Sequence, residues 1–112
     1  MPATLVFDVN ETLLDLRALA PDFEAVFGDG VVLDAWFHQV IQYAMGLTLA
    51  GEYRPFGEIA LGVIHMMADA EGVDLSDDQA RRIAGKIRTL PPHPDVPGAL
   101  AFLKDAGFRL VA

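Results

Sequence analysis

The chain has 112 residues, 53 % hydrophobic and 21 % charged, which is the make-up of one ordinary globular domain and not of a disordered segment. Eight basic residues against sixteen acidic ones give a net charge of −8, a surface that repels a phosphate backbone and excludes nucleic acid as a partner. The absence of cysteine rules out disulfides and thiolate metal sites, and no stretch reaches the ~18 uninterrupted apolar residues of a membrane span. The N-terminus, MPATLVFDVN, lacks the basic region of a signal peptide, so a soluble cytoplasmic protein is expected.

The first element is the run Thr4, Leu5, Val6, Phe7, which predicts a buried parallel strand that ends abruptly in Asp8. In open α/β sheets the C-terminal edge of the strands is where ligands bind. A carboxylate at that edge can act as a nucleophile when nearby N–H groups and cations keep it ionised and aimed. The polar residues Asn10, Glu11 and Thr12 follow directly.

The pattern then turns helical for most of the next 75 or so positions. Pro21 opens a short helix that ends at Gly28, with Phe23 and Phe27 one turn apart. After the turn at 28–30, a long helix is expected from about Asp34 as its N-cap. Trp36, Val40, Tyr43, Ala44 and Leu47 form one apolar stripe, and Phe37, Ile41 and Met45 a second beside it. Such a helix should be buried on more than one side. A third helix, about 56–70, carries Ile59, Val63, Met66, Met67 and Ala70 and stops near Gly72. Ser76 and Gln79 are spaced as a capping box and open a fourth helix with Ala80, Ile83, Ala84 and Ile87 facing inward. Together these elements read as a small helical bundle.

Leu90-Pro91-Pro92-His93-Pro94-Asp95 cannot be regular structure, because its prolines lack donors and restrict φ, and it reads as a stiff hinge. Asp95 should cap a helix through Leu100 and Leu103 that ends at Gly107 with a left-handed residue. Phe108 to Ala112 then begins a second strand. A parallel sheet needs neighbours and covering helices on both faces, so two strands and one crossover predict a fragment of a longer protein, or a chain completed by a partner. The three histidines, His38, His65 and His93, are far apart and show no metal spacing; His65 and His93 read as surface or packing residues.

Phe7-Asp8-Val9-Asn10-Glu11-Thr12-Leu13, with a helical insert, a proline segment, a helix and a second strand after it, resembles the haloacid dehalogenase superfamily. Tyr53-Arg54-Pro55-Phe56 and the later PPHPDVPGALAFLKDAGFRLVA look closest to its type II L-2-haloacid dehalogenases. The resemblance implies an α/β, Rossmann-like core, of which the first two parallel strands are present, with an inserted helical-bundle cap. Residues 1–14 would be the first strand and nucleophile loop, 15–91 the cap, and 92–112 the core helix and second strand. The chain alone would be inactive.

On the same resemblance, Asp8 would be the nucleophile, attacking C2 of a 2-halo acid or similar small organic acid and forming an aspartyl ester that water then hydrolyses. Asn10, Thr12, Phe37, His38, Ile41 and Phe56 would be substrate-side residues, with Thr12 holding the nucleophile within its loop and Phe56 and Ile41 serving as pocket wall. Superfamily phosphatases carry Asp at the position of Asn10. A neutral amide is a poor ligand for Mg²⁺ and removes a general acid, so Asn10 supports displacement at carbon without a metal or other cofactor. The pattern departs at Phe37, where the dehalogenase branch has an arginine after the tryptophan; its loss removes a charge-assisted contact to substrate and halide. Two rivals stay open: a phosphatase that tolerates Asn10, and a non-catalytic module whose helices form a homodimer, which exposed faces of Trp36, Phe37 and Met45 would favour.

Overall fold

The computed structural model describes residues 2–112. The elements run β1 (Thr4–Val6), α1 (Ala20–Phe27), α2 (Val32–Leu49), α3 (Phe56–Glu71), α4 (Asp77–Gly85), α5 (Val96–Asp105) and β2 (Arg109–Val111), with 3₁₀ turns at Leu16–Leu19 and Lys86–Thr89. They divide into two units. One comprises the segment up to Ala18 together with Leu90–Ala112, and the other is Leu19–Thr89.

In the first unit β1 and β2 pair in parallel, with Thr4 opposite Arg109, Leu5 opposite Leu110 and Val6 opposite Val111. Arg109 N–H donating to the Ala3 carbonyl (3.0 Å) and Phe7 N–H donating to the Val111 carbonyl (2.8 Å) extend the ladder at its two ends. The strands are not buried as expected. Leu5 and Leu110 are half-buried, but Val6 is 76 % exposed. A parallel strand is enclosed only when layers cover both of its faces, and α5 is the helix of this unit that packs against β2. The α5 helix ends as the sequence suggests: Gly107 takes φ +89°, and Phe108 N–H returns to the Leu103 carbonyl. Asp95 stands at its N-cap position but makes no side-chain capping bond, so the expected cap is not formed.

The second unit is the helical bundle. Pro21 lies in the first turn of α1, and Gly28 closes that helix at φ +76°, its N–H bonded to the Glu24 carbonyl. The α2 helix begins two residues before Asp34. Asp29 Oδ1 accepts the Val31 N–H at 2.8 Å and sets the helix start, while Asp34 sits in the first turn, where a carboxylate favours the positive end of the helix dipole. On α4 the capping box forms in both directions, with Gln79 N–H donating to Ser76 Oγ and Ser76 N–H to Gln79 Oε1.

Packing centres on Trp36. Its ring is fully buried, lies 5.0 Å from that of Phe23 at a tilt of 47°, and donates through Nε1 to the Ala60 carbonyl at 3.1 Å. The polar edge of the indole is thereby satisfied while its faces bury apolar area, and α1, α2 and α3 meet on one side chain. Lys86 Nζ, 2.7 Å from Asp22 Oδ1, ties the end of the bundle back to α1.

Two apolar readings need correction. Only Leu33, Trp36 and Val40 of α2 are buried; Tyr43, Met45 and Leu49 are exposed, because the neighbouring helices cover one stripe of α2 and not two. On α3 the buried stripe is Ala60, Val63, Ile64, Met67 and Ala68, and Met66 and Ala70 point outward. That helix is apolar on most of its circumference, so composition leaves the phase of the stripe open, and its two neighbours, α2 and α4, select it.

Ile64→Ala should therefore destabilise the bundle by about 2–5 kcal/mol. Tyr53→Ala, at a position 86 % exposed, should change stability by no more than about 0.5 kcal/mol. Chemical denaturation followed by the fluorescence of Trp36, the single tryptophan, checks both.

Candidate active site

The β1–β2 ladder stops at Phe7, and the next residue, Asp8, is exposed at the strand tip. From there the chain makes a tight loop. The Val9 carbonyl accepts both Leu13 N–H (2.8 Å) and Leu14 N–H (3.1 Å), and Glu11 N–H donates to the Leu14 carbonyl at 3.0 Å. This curl brings Thr12 back over the strand end, where its Oγ1 donates to Asp8 Oδ2 at 2.8 Å. One carboxylate oxygen is thus held and oriented by a charge-assisted bond, while Oδ1 has no hydrogen bond among the described residues. The amides of Val9, Asn10 and Thr12 likewise donate to no group among the described residues. The Asn10 side chain is half-buried and also unengaged among those residues.

The loop is shaped by one unfavourable backbone. Among the described residues Glu11 is the one non-glycine with a positive φ, at +68°. For an L-residue this left-handed conformation crowds Cβ against the following carbonyl oxygen, and it persists only where surrounding bonds impose it. The bonds here come from the proline segment. His93 N–H donates to the Leu13 carbonyl at 3.0 Å, Asp15 N–H donates to the Pro91 carbonyl at 2.8 Å, and Leu14 bridges Pro92 in antiparallel fashion. In addition, His93 Nε2 lies 2.8 Å from the Glu11 carbonyl oxygen. The sequence reading of His93 as a surface or packing residue misses this contact. Nothing local signals it, since the two residues are 82 positions apart.

The remaining predicted site residues belong to the helical unit. Phe37, His38 and Ile41 occupy α2, with Phe37 and Ile41 one turn apart and half-buried and His38 exposed. Phe56 is the first residue of α3. Ile41 lines a shallow apolar groove of about 420 Å³ with Ala44, Met45, Thr48 and Leu49. Phe56 lines a smaller hollow of about 220 Å³ with Ala44, Leu47, Tyr53, Arg54 and Ile59. The two depressions adjoin at Ala44 and Thr48, and Phe37 and His38 line neither. Asp8, Asn10 and Thr12 share one loop, whereas Phe37, His38, Ile41 and Phe56 do not share one pocket of the helical unit.

A parallel strand pair with a carboxylate at its tip, interrupted in sequence by a helical bundle, matches part of the α/β fold of solved L-2-haloacid dehalogenases. Across 108 residues, 95 % of this chain, it is 28 % identical to haloacetate dehalogenase H-2 of Moraxella sp. (strain B) and 27 % identical to an (S)-2-haloacid dehalogenase of Pseudomonas putida. It spans about half the length of these curated relatives, 48 % of each. The L-2-haloacid dehalogenase of Xanthobacter autotrophicus superposes with a TM-score of 0.85 at 25 % identity, over 98 % of this chain and 45 % of that one. A further L-2-haloacid dehalogenase, 24 % identical, shares the fold at a TM-score of 0.89, over 97 % of this chain and 51 % of that one. No protein-family model matches the chain. Its curated homologues are haloacid dehalogenases, and its structural neighbours are L-2-haloacid dehalogenases.

Glu11 offers a direct check on the loop. Glu11→Gly should leave thermal stability unchanged or raise it, because glycine takes positive φ freely. Glu11→Val should cost about 1 kcal/mol, since β-branched residues tolerate this conformation least. Thermal denaturation by circular dichroism measures both.

Proposed function

We propose that the native protein is a hydrolase that displaces halide from a 2-halo acid or a similar small organic acid, with Asp8 as the nucleophile and no metal. The observation that carries this reading is the Thr12 hydroxyl on Asp8 Oδ2, which leaves Oδ1 as the attacking oxygen at a strand tip. The relatives support the substrate class. The Xanthobacter autotrophicus enzyme has been solved with chloropropionic acid covalently bound.

The chemistry runs in two steps. Asp8 Oδ1 forms a bond to C2 as the carbon–halogen bond breaks, and halide leaves with the electron pair. Water then adds to the ester carbonyl carbon, releasing the 2-hydroxy acid, inverted at C2, together with a proton, and restoring the Asp8 carboxylate. Loop N–H groups would stabilise the oxyanion of this second step. A carboxylate nucleophile at carbon needs no Lewis acid, and an amide at position 10 suits that chemistry better than it suits Mg²⁺. Phe37, His38, Ile41 and Phe56 would supply the substrate-side surface of the helical unit, in a cytoplasmic enzyme. Phe37 follows Trp36 in sequence, where the resembled dehalogenases carry an arginine, so 2-halo acids would be held without that charge-assisted contact.

In the native protein Asp8→Asn should abolish turnover of L-2-chloropropionate, and mass spectrometry of trapped wild-type protein should place the ester on Asp8. EDTA should leave the rate unchanged; recovery of chelated activity by Mg²⁺, with a phosphate ester as substrate, would support a phosphatase instead. Phe37→Arg should raise kcat/KM on L-2-chloropropionate roughly tenfold, the worth of one charged contact at ~1.4 kcal/mol. Steady-state kinetics with both proteins measures the gain.

A further inference from the structure

We propose that His93 is a positioning residue for Asp8, acting through the peptide that joins Glu11 to Thr12; the catalytic part of this proposal rests on Asp8 being the nucleophile. The peptide unit is planar, so its carbonyl oxygen and the Cα of Thr12 move together as one rigid unit, and a hold on the oxygen restricts both. His93 Nε2 donates to that oxygen at 2.8 Å, and Thr12 Oγ1 in turn donates to Asp8 Oδ2 at 2.8 Å. The chain of contacts is short: imidazole, peptide plane, hydroxyl, carboxylate.

Glu11 is where this chain is weakest. Its φ of +68° is disfavoured for a side chain with a Cβ, so a loop without outside support would relax toward negative φ and swing Thr12 off the carboxylate. His93 is well placed to prevent that swing. Pro92 before it has a fixed φ, and Pro94 after it confines its own backbone to extended conformations, so the imidazole projects from a stiff arm. The arm is itself docked by His93 N–H on the Leu13 carbonyl and by Asp15 N–H on the Pro91 carbonyl. These main-chain bonds do not depend on the identity of the side chain at 93, so the imidazole contact can be removed alone. Either the neutral tautomer with its proton on Nε2 or the imidazolium donates to a carbonyl.

Four variants of the native protein test this: His93→Phe, which keeps a ring but no donor; His93→Gln, which restores an N–H at similar reach; Glu11→Gly; and the double variant Glu11→Gly/His93→Phe. Hydrogen exchange of the Glu11 and Leu14 amides, both bonded within the loop, is the readout that does not require activity. His93→Phe should speed it roughly tenfold, the scale of one hydrogen bond, with the amides of α2 and α3 unchanged. His93→Gln should keep wild-type exchange, and Glu11→Gly should relieve most of the defect in the double variant. On L-2-chloropropionate, His93→Phe should lower kcat several-fold with KM unchanged, and the other variants should follow the exchange order. Unaltered loop exchange in His93→Phe would overturn the proposal, as would a loss of kcat that His93→Gln fails to recover. Should wild-type protein not turn over this substrate, the dehalogenase reading falls, and loop exchange alone decides for or against His93 as the support of Thr12 on Asp8.

Discussion

The first unit depends on two strips of main-chain hydrogen bonds that join segments lying on either side of Leu19–Thr89. One strip is the parallel ladder of residues 4–7 with 109–111; the other pairs 13–15 with 91–93. Closing a long insertion costs little more than closing a short one, because loop entropy grows only with the logarithm of length, about 0.6 kcal/mol per doubling. A handful of non-local bonds can therefore hold the ends of an inserted helical unit. Asp8 lies on the stretch between the two strips, where the chain leaves the sheet.

That stretch spends its hydrogen-bonding capacity unevenly. The Val9 carbonyl accepts two donors, and the Glu11 and Leu13 carbonyls are taken by His93. The acceptors near the strand tip are thus largely satisfied, while several amides beside Asp8 are left over. The left-handed Glu11 permits the curl, and its conformational cost is borne by contacts from a distant part of the sequence.

The helical unit answers to a different constraint. Its core is apolar and satisfied: the most buried side chains are apolar, and the Trp36 indole N–H has found the Ala60 carbonyl. Trp36 is accordingly an anchor of the bundle and no part of an interaction face. The distal half of α2, by contrast, carries apolar side chains into solvent at Met45 and Leu49. The curated relatives are about twice as long as this chain, and their similarity extends across both units.

Most of the local architecture was legible in the residues, because its causes are local. Pro21 and Gly28 bound α1, the Ser76–Gln79 box opens α4, Gly72 and Gly107 close their helices with positive φ, and β-branched residues running into Asp8 mark the first strand. The Thr12–Asp8 contact was also within reach, since it spans four residues and the motif carries it. What the sequence could not decide is whatever depends on which neighbour arrives. The buried stripe of an all-round apolar helix such as α3, the exposure of Val6, and the start of α2 at Val32 are settled by packing partners and by an aspartate in the preceding turn. The support of the Asp8 loop by His93 is the clearest case. A histidine between two prolines has no periodicity or spacing that points to a carbonyl 82 residues away, and only the tertiary pairing of 13–15 with 91–93 brings its ring there.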